Sequence, residues 1–457
     1  MAARDADIQR LLVMGATGDL TGRYLLPALA ALHAGGYLDA GFQLVAASRE
    51  DWDDTRFRDH AAGWLAREAS GLPSAAAEAV LASSRYRRIE LGDQESVRAC
   101  VTGDGPVAAY LALPPAVFAS AVTALHRAGL PRGSRVVLEK PFGEDLASAA
   151  ELNRLLLSLM NEREVFRVDH FLAMSTVQTV LGTRLANRVL EPIWNGAHIA
   201  EVEITWDESL ALENRAIYYD GVGALKDMVQ NHLLQILCLV AMEPPMTLGE
   251  RDLRDHKVDV LRSIRPLTRE QVVARTRRAR YGAGKVGDRE IPAYVDERGV
   301  DPEHRTETFA EVALELDNWR WPGTTFRLRT GKALAQDRRE VIVHFRPVPH
   351  LPLEGVTAPP NRLHFGLEPE GLRLELAGIE HGPSVGLAPL TLQADLEPPA
   401  LPAYGRLLLA VLRGEAALSI RGDEAEESWR VVTPILEAWA EGATPLEEYP
   451  AGSAGPG

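Results

Sequence analysis

Along residues 8–14, IQRLLVM, apolar positions run together and predict a buried strand. The stretch GATGDLTG follows, and RYLLPALAALHAGG then spaces apolar residues as a helix does before a glycine stop. Buried-strand runs recur at 42–48 (FQLVAAS), 106–115 (PVAAYLALPP) and 134–143 (SRVVLEKPFG). After about residue 165 the texture changes. A helix-like segment follows RVDHFLAMS (167–175) to about Leu190, and HIAEVEITWDESL at 198–210 alternates as a strand. YYDGVGALKDMVQNHLLQILCLVAMEPP at 218–245 ends as a helix stopped by prolines. FAEVALELDN, TTFRLRTGK, EVIVHFRP and GLRLELAG then read as strands. The pattern predicts two domains, 1–165 and 166–457.

The order strand, glycine turn, helix is the setting in which a dinucleotide's phosphates are cradled. Gly15 permits the tight turn, Gly18 lets backbone amides approach a pyrophosphate, and the helix start supplies a favourable dipole. The first domain is therefore expected to be an α/β Rossmann dinucleotide-binding domain. At the end of the second strand the chain reads SREDW. Arg49 there suits the 2′-phosphate of NADP, while Glu50 and Asp51 suit the ribose hydroxyl of NAD; a solvated surface arginine is the plain alternative. Lys140, in Glu139-Lys140-Pro141, stands at a carboxyl-end strand tip where open α/β sheets bind ligands, and is equally compatible with a surface role. The Lys140–Pro141 bond is a candidate for the cis form.

Composition narrows the partners. With 46% hydrophobic and 25% charged residues the chain is an ordinary globular one, and a net charge of −15 disfavours nucleic acid and anionic membrane surfaces. Two cysteines, Cys100 and Cys238, give neither a disulfide framework nor metal-ligand spacing, so no metal is expected. MAARDADIQRLLVMG is not a signal peptide, and the apolar run at 233–242 is too short to span a bilayer; a cytoplasmic protein is expected. The closing residues, PAGSAGPG, read as a Gly/Pro-rich tail.

Read blind, Asp169-His170 suggests acid–base chemistry, whereas a histidine such as His232 on MVQNHLLQ is more often a satisfied core residue. The motifs together resemble the glucose-6-phosphate dehydrogenase family over nearly the whole chain. They stand in family order: GATGDLTGRYLLPAL, YLALPP, EKPFGEDLASA, RVDHF, YYDGVGALKDMVQNHLLQILCLVAMEPP, RWPGTTFRLRTGKAL, AYGRLLLAVLRGEAALSIRGDE, SWRVVTPILEAW and YPAGSAGP. The resemblance implies a dinucleotide-binding domain followed by a larger α+β domain with a mostly antiparallel sheet, for substrate binding and dimerisation. It implies oxidation of a hexose 6-phosphate C1 hydroxyl to a lactone with NADP, NAD being possible, by a homodimer or dimer of dimers.

Residue by residue, the resemblance makes His232 the catalytic base and Asp169 its carboxylate partner. It puts Gly15, Thr17, Gly18, Asp19, Leu20, Arg49, Pro114 and Lys140 at the cofactor, and Lys140, His170, Glu208, Asp227 and Lys332 at the sugar. On an ideal α-helix Asp227 and His232 would point roughly 140° apart. The phosphate grip departs from the family: where it has Asp-His-Tyr-Leu-Gly-Lys, this chain has Phe171 and Met174 in place of the phenol and the ammonium. Tyr24 stands where the family often has lysine, Asp337 where it has an arginine, and Ile217 where it has a glycine. Loss of one charge-assisted and one neutral hydrogen bond is worth roughly 2–4.5 kcal/mol. The expectation is therefore a sugar 1-dehydrogenase acting on an unphosphorylated or modified hexose. The alternatives are an ordinary glucose-6-phosphate dehydrogenase whose phosphate is held elsewhere, at Arg338 or Lys226, and a non-catalytic cofactor-binding homologue.

Overall fold

The computed structural model describes residues 7–212, 216–353, 355–381, 385–397 and 399–457. The chain forms two compact units, each assembled from separate stretches: Met1–Met174, Met246–Arg254 and Pro399–Glu426 in the first, and Ser175–Pro245, Asp255–Pro398 and Glu427–Gly457 in the second. This differs from the expected break at residue 165. Val165 opens a strand of the first unit's sheet, and that unit takes back chain from far downstream.

Strands are numbered along the chain. The first unit holds β1 (Arg10–Met14), β2 (Gln43–Ser48), β3 (Ser84–Arg88), β4 (Ala108–Leu111), β5 (Arg135–Glu139), β6 (Val165–Val168) and β17 (Ser419–Ile420). Their order is β17-β6-β5-β4-β1-β2-β3, with β1 to β6 parallel and β17 antiparallel to β6. Both faces of a parallel sheet are covered, so β1 and β4 are buried along their whole length. The order reverses between β1 and β4, and the crevice beyond their carboxyl ends is where such sheets take a dinucleotide. The helix Ala403–Arg413 returns Leu407, Leu408, Val411 and Leu412 to a core shared with Leu26, Leu29 and Tyr110. Its last carbonyls are met by Arg135, which donates to Val411 O at 2.6 Å and Leu412 O at 2.7 Å.

The second unit is built on a sheet of β7 (Ile199–Asp207), β8 (Thr276–Gly282), β11 (Phe309–Leu314), β12 (Thr325–Gly331), β13 (Arg338–Phe345), β14 (Arg362–Glu368), β15 (Glu370–His381), β16 (Val385–Asp395) and β18 (Leu446–Pro450). β9 (Gly284–Val286) and β10 (Arg289–Ile291) form a separate small hairpin. The order is β16-β15-β14-β13-β7-β12-β11-β8-β18, antiparallel except for β7 with β12 and β8 with β18. Along β7, Val202, Ile204 and Trp206 are buried, while Glu201 and Glu203 face the other way. A helical rod, Leu225–Leu233 then Leu234–Ala241, follows, and its first half packs on β11 and β12. Its carboxyl end is satisfied by Arg184, which donates to Leu239 O and Met242 O at 2.9 Å, and by the indoles of Trp194 and Trp321. The final residues are stitched down: Gly452 N donates to Ala333 O and Ala335 N to Ser453 O, both at 2.8 Å. Among the described residues no helix is long and apolar enough to cross a membrane.

Candidate functional site

In the first unit the glycine turn sits at the β1/β4 switch point. Gly15 has φ +91° and donates to Ala47 O at 2.8 Å; a Cβ on it would meet Ala112 O at 2.1 Å. Only glycine fits such an approach of two backbones. Gly18 N returns to Gly15 O at 3.1 Å, and the chain enters a helix at Asp19 and Leu20, leaving Gly18 and Asp19 exposed. This bare, side-chain-poor helix start fits a pyrophosphate. Thr17 Oγ1 lies 2.9 Å from Ser48 Oγ and 3.0 Å from Glu50 Oε2, which ties the turn to the end of β2. Arg49 is exposed beside them, and exposed Pro114 follows β4.

Lys140 follows β5, half-buried, and its bond to Pro141 is cis. Glu139 before it is buried and takes hydrogen bonds from the hydroxyls of Tyr110 and Tyr404. Burial pushes its carboxyl up to about 7 against the pull of the Tyr110 hydroxyl and the Lys140 ammonium, with Asp169 adding to the rise. The Tyr404 ring stacks on His170 at 5.4 Å and on Tyr24 at 4.9 Å, joining three side chains from separate stretches of sequence. Asp169 is buried and caps the short helix that follows it, its Oδ1 accepting from Phe171 N at 2.9 Å. Phe171, 3% exposed, packs edge-on against His170, while Met174 is half-buried. The missing phenol is thus missing from an interior position rather than from an open wall.

In the second unit Leu225–Leu233 is a π-helix. Its hydrogen bonds run between residues five apart, so Asp227 and His232 stack on nearly one face instead of diverging as in an α-helix. His232 is 1% exposed and Asp227 half-buried. Beside this helix Lys332 pairs with Glu208, and its ammonium lies 5.8 Å from the centroid of the Tyr219 ring. Tyr219 is buried; burial first, then the charges of Asp227, Glu307 and Glu208, hold its phenol well above its ordinary range. Glu208 and Asp227 thus act on the same phenol over whose ring the Lys332 ammonium lies. Asp337 accepts from Ser209 N at 2.6 Å and Ser209 Oγ at 2.8 Å, fixing the loop after Glu208. Arg338 is turned to Asp207, 3.4 Å away, and to Glu340.

The chain matches "Glucose-6-phosphate dehydrogenase, NAD binding domain" over residues 12–179 and "Glucose-6-phosphate dehydrogenase, C-terminal domain" over 181–457. The chain belongs to the glucose-6-phosphate dehydrogenase family. It is similar to the glucose-6-phosphate 1-dehydrogenase of Mycolicibacterium smegmatis, 41% identical over 97% of this chain and 93% of that one. It is likewise similar to that of Zymomonas mobilis, 37% identical over 98% and 96%. A glucose-6-phosphate dehydrogenase solved in complex with glucose 6-phosphate superposes with TM-score 0.91 at 28% identity, covering 100% of this chain and 97% of that one. The Mycobacterium avium enzyme gives 0.86 at 33%, covering 98% and 95%.

Membership makes the chain an oxidoreductase acting on a CH–OH group, with a dinucleotide-binding domain for NAD(P). Within this family frame the sequence singled out the turn, Lys140, Asp169, His170, Glu208, Asp227, His232 and Lys332, but not Glu139, Tyr219, Glu307 or Tyr404. Tyr404 lay inside a quoted family motif, AYGRLLL, with nothing in the local pattern to tie it to His170.

Proposed function

We propose that the chain is an NADP-dependent hexose 6-phosphate 1-dehydrogenase that oxidises the C1 hydroxyl of glucose 6-phosphate to the lactone. The observation that carries it is the buried His232, five residues after Asp227 on a π-helix, in the same unit as the Lys332–Glu208 pair. A π-turn of this kind is a frequent mark of a functional site. Imidazole is the base suited to taking a hydroxyl proton near neutrality. The family resemblance supports Asp169 as the carboxylate that serves it, holding the tautomer and stabilising the imidazolium. Asp227, Glu208, Lys332, His170 and Lys140 are assigned to orienting the sugar. Gly15, Thr17, Gly18, Asp19, Leu20, Arg49, Pro114 and Lys140 would hold NADP, with Arg49 on the 2′-phosphate. NADP, when bound, supplies the hydride acceptor.

The names of the similar proteins support a phosphorylated sugar. A second reading, an unphosphorylated or modified hexose, is favoured by Phe171 and Met174, which offer no donor where the family has two. None of the similar proteins reported above is named for such a sugar, so it stands second. NADPH formation measured on glucose 6-phosphate, glucose and other aldoses separates the two. The expected result is the larger kcat/KM on glucose 6-phosphate; a preference for glucose would replace the first reading by the second. His232→Asn is expected to lower kcat by about 10²–10⁴-fold with cofactor binding kept. Retained turnover would remove His232 from its role.

A further inference from the structure

Outside the residues already assigned, one buried carboxylate faces the start of the π-helix. Glu307, just before β11, accepts from Leu225 N at 3.0 Å through its side chain, and its own carbonyl accepts from Ala224 N at 3.1 Å. One residue thus satisfies two of the amides that a helix start leaves without an intrahelical partner. Its carboxyl oxygens also lie at the end of the helix where the dipole favours an acceptor. Leu225 is buried, so water is a poor substitute. Gly223, with φ +74°, makes room: a Cβ there would lie 2.5 Å from Glu307 Oε1. The neighbouring chain tightens the same corner. Thr306 Oγ1 donates to Asp220 O at 2.5 Å, and the Asp220 carboxylate accepts from Tyr294 Oη at 2.6 Å and Asp301 N at 3.0 Å, with His304 Nδ1 at 2.7 Å. Residues 301–307 therefore clasp the turn 220–225 from which the helix springs.

We propose that Glu307 is a positioning residue, which sets the start of the Leu225–Leu233 helix and through it the placement of Asp227 and His232. The role rests on the function proposed above for those two side chains. Asp227 lies two residues past the anchored amide, within the first turn. Without the acceptor a buried N–H is orphaned, and the first turn is the part that gives way. A shift of about 1 Å in such a group is enough to cost on the order of 100-fold in rate.

The experiment compares Glu307→Ala, which removes the acceptor, with Glu307→Gln, which keeps an acceptor oxygen of the same reach. Glu307→Ala is expected to lower kcat on glucose 6-phosphate at least about tenfold and to speed amide exchange over residues 224–228, with the NADP Kd unchanged within about twofold. Glu307→Gln is expected to restore exchange protection and most of kcat. If Glu307→Ala does not fold, Glu307→Asp, whose shorter side chain withdraws the acceptor from Leu225 N, takes its place with the same expectations. Unchanged exchange and kcat in Glu307→Ala, or a Glu307→Gln no better than Glu307→Ala, would overturn the assignment. Amide exchange needs no substrate: a wild-type protein inactive on every hexose would defeat the proposed function, while exchange would still decide what Glu307 holds.

Discussion

Arg49 and Glu50 follow β2 side by side, yet they are engaged differently. Against the opposing effect of burial, the Glu50 carboxylate is held below the usual carboxylate range by its own backbone amide, then by the hydroxyls of Thr17 and Ser48 and the charge of Arg49, while the Arg49 guanidinium is exposed at the sheet's carboxyl end. A guanidinium in that place suits a doubly charged phosphate. Arg49→Ala is expected to weaken NADP by about 1.5–3 kcal/mol and leave NAD nearly unchanged, as read from Kd values for both cofactors. Equal losses would remove Arg49 from the 2′-phosphate. Single residues were legible in the sequence wherever local spacing fixes the backbone, as at the tight turn of Gly15 and the cis bond after Lys140. They were illegible where the contact is distant: Glu139 takes the hydroxyl of Tyr404, and nothing near either residue encodes the other. Phe171 was legible as a departure from the family, but its burial was not, because burial depends on neighbours that local spacing does not name.

At the scale of elements, apolar periodicity located β1, β2, β4, β5, β7, β11, β12, β13, β15 and the helical rod, missed strands such as the polar β3 (SRYRR), and assumed 3.6 residues per turn. The widening over Leu225–Leu233 leaves no trace in which residues are apolar, because both windings bury this segment from several sides. The angle read between Asp227 and His232 was therefore too large. The closing Gly/Pro-rich stretch read as a tail for a similar reason: its anchoring is by backbone hydrogen bonds, which composition does not reveal. The rod's far end offers a test of packing. Arg184 is fully buried with its guanidinium on two carbonyls there, and burial draws its pKa down to about 10, so it keeps its charge at neutral pH. Arg184→Met would leave those carbonyls without their charged donor, at a cost of about 2–3 kcal/mol. A lowered urea midpoint at unchanged slope is the expected reading, and an unchanged midpoint would contradict it.

Across the whole molecule, each unit buries a carboxyl that burial pushes up to about 7: Glu139 in the first and Glu307 in the second. Both start from an ordinary 4.5 in the unfolded chain. Between those values the native state holds protons that the unfolded state has released, so stability falls as pH rises and the loss levels off above about 7. Melting temperatures recorded from pH 5 to 8 should therefore decline more steeply for the wild type than for Glu139→Gln or Glu307→Gln, and parallel curves would refute the link. Fold class and sheet character were legible because local patterns repeat along each element. The composition of the units was not, since the return of Pro399–Glu426 to the first sheet is a long-range event. That return has a consequence for biosynthesis. A nascent chain paused after Met174 carries six parallel strands, but it lacks β17 and the helix that supplies Leu407, Leu408, Val411 and Leu412 to their core. At about 5–20 residues per second, the ribosome leaves that apolar surface uncovered for a further ten seconds or more, so the nucleotide-binding unit closes only when translation is almost finished.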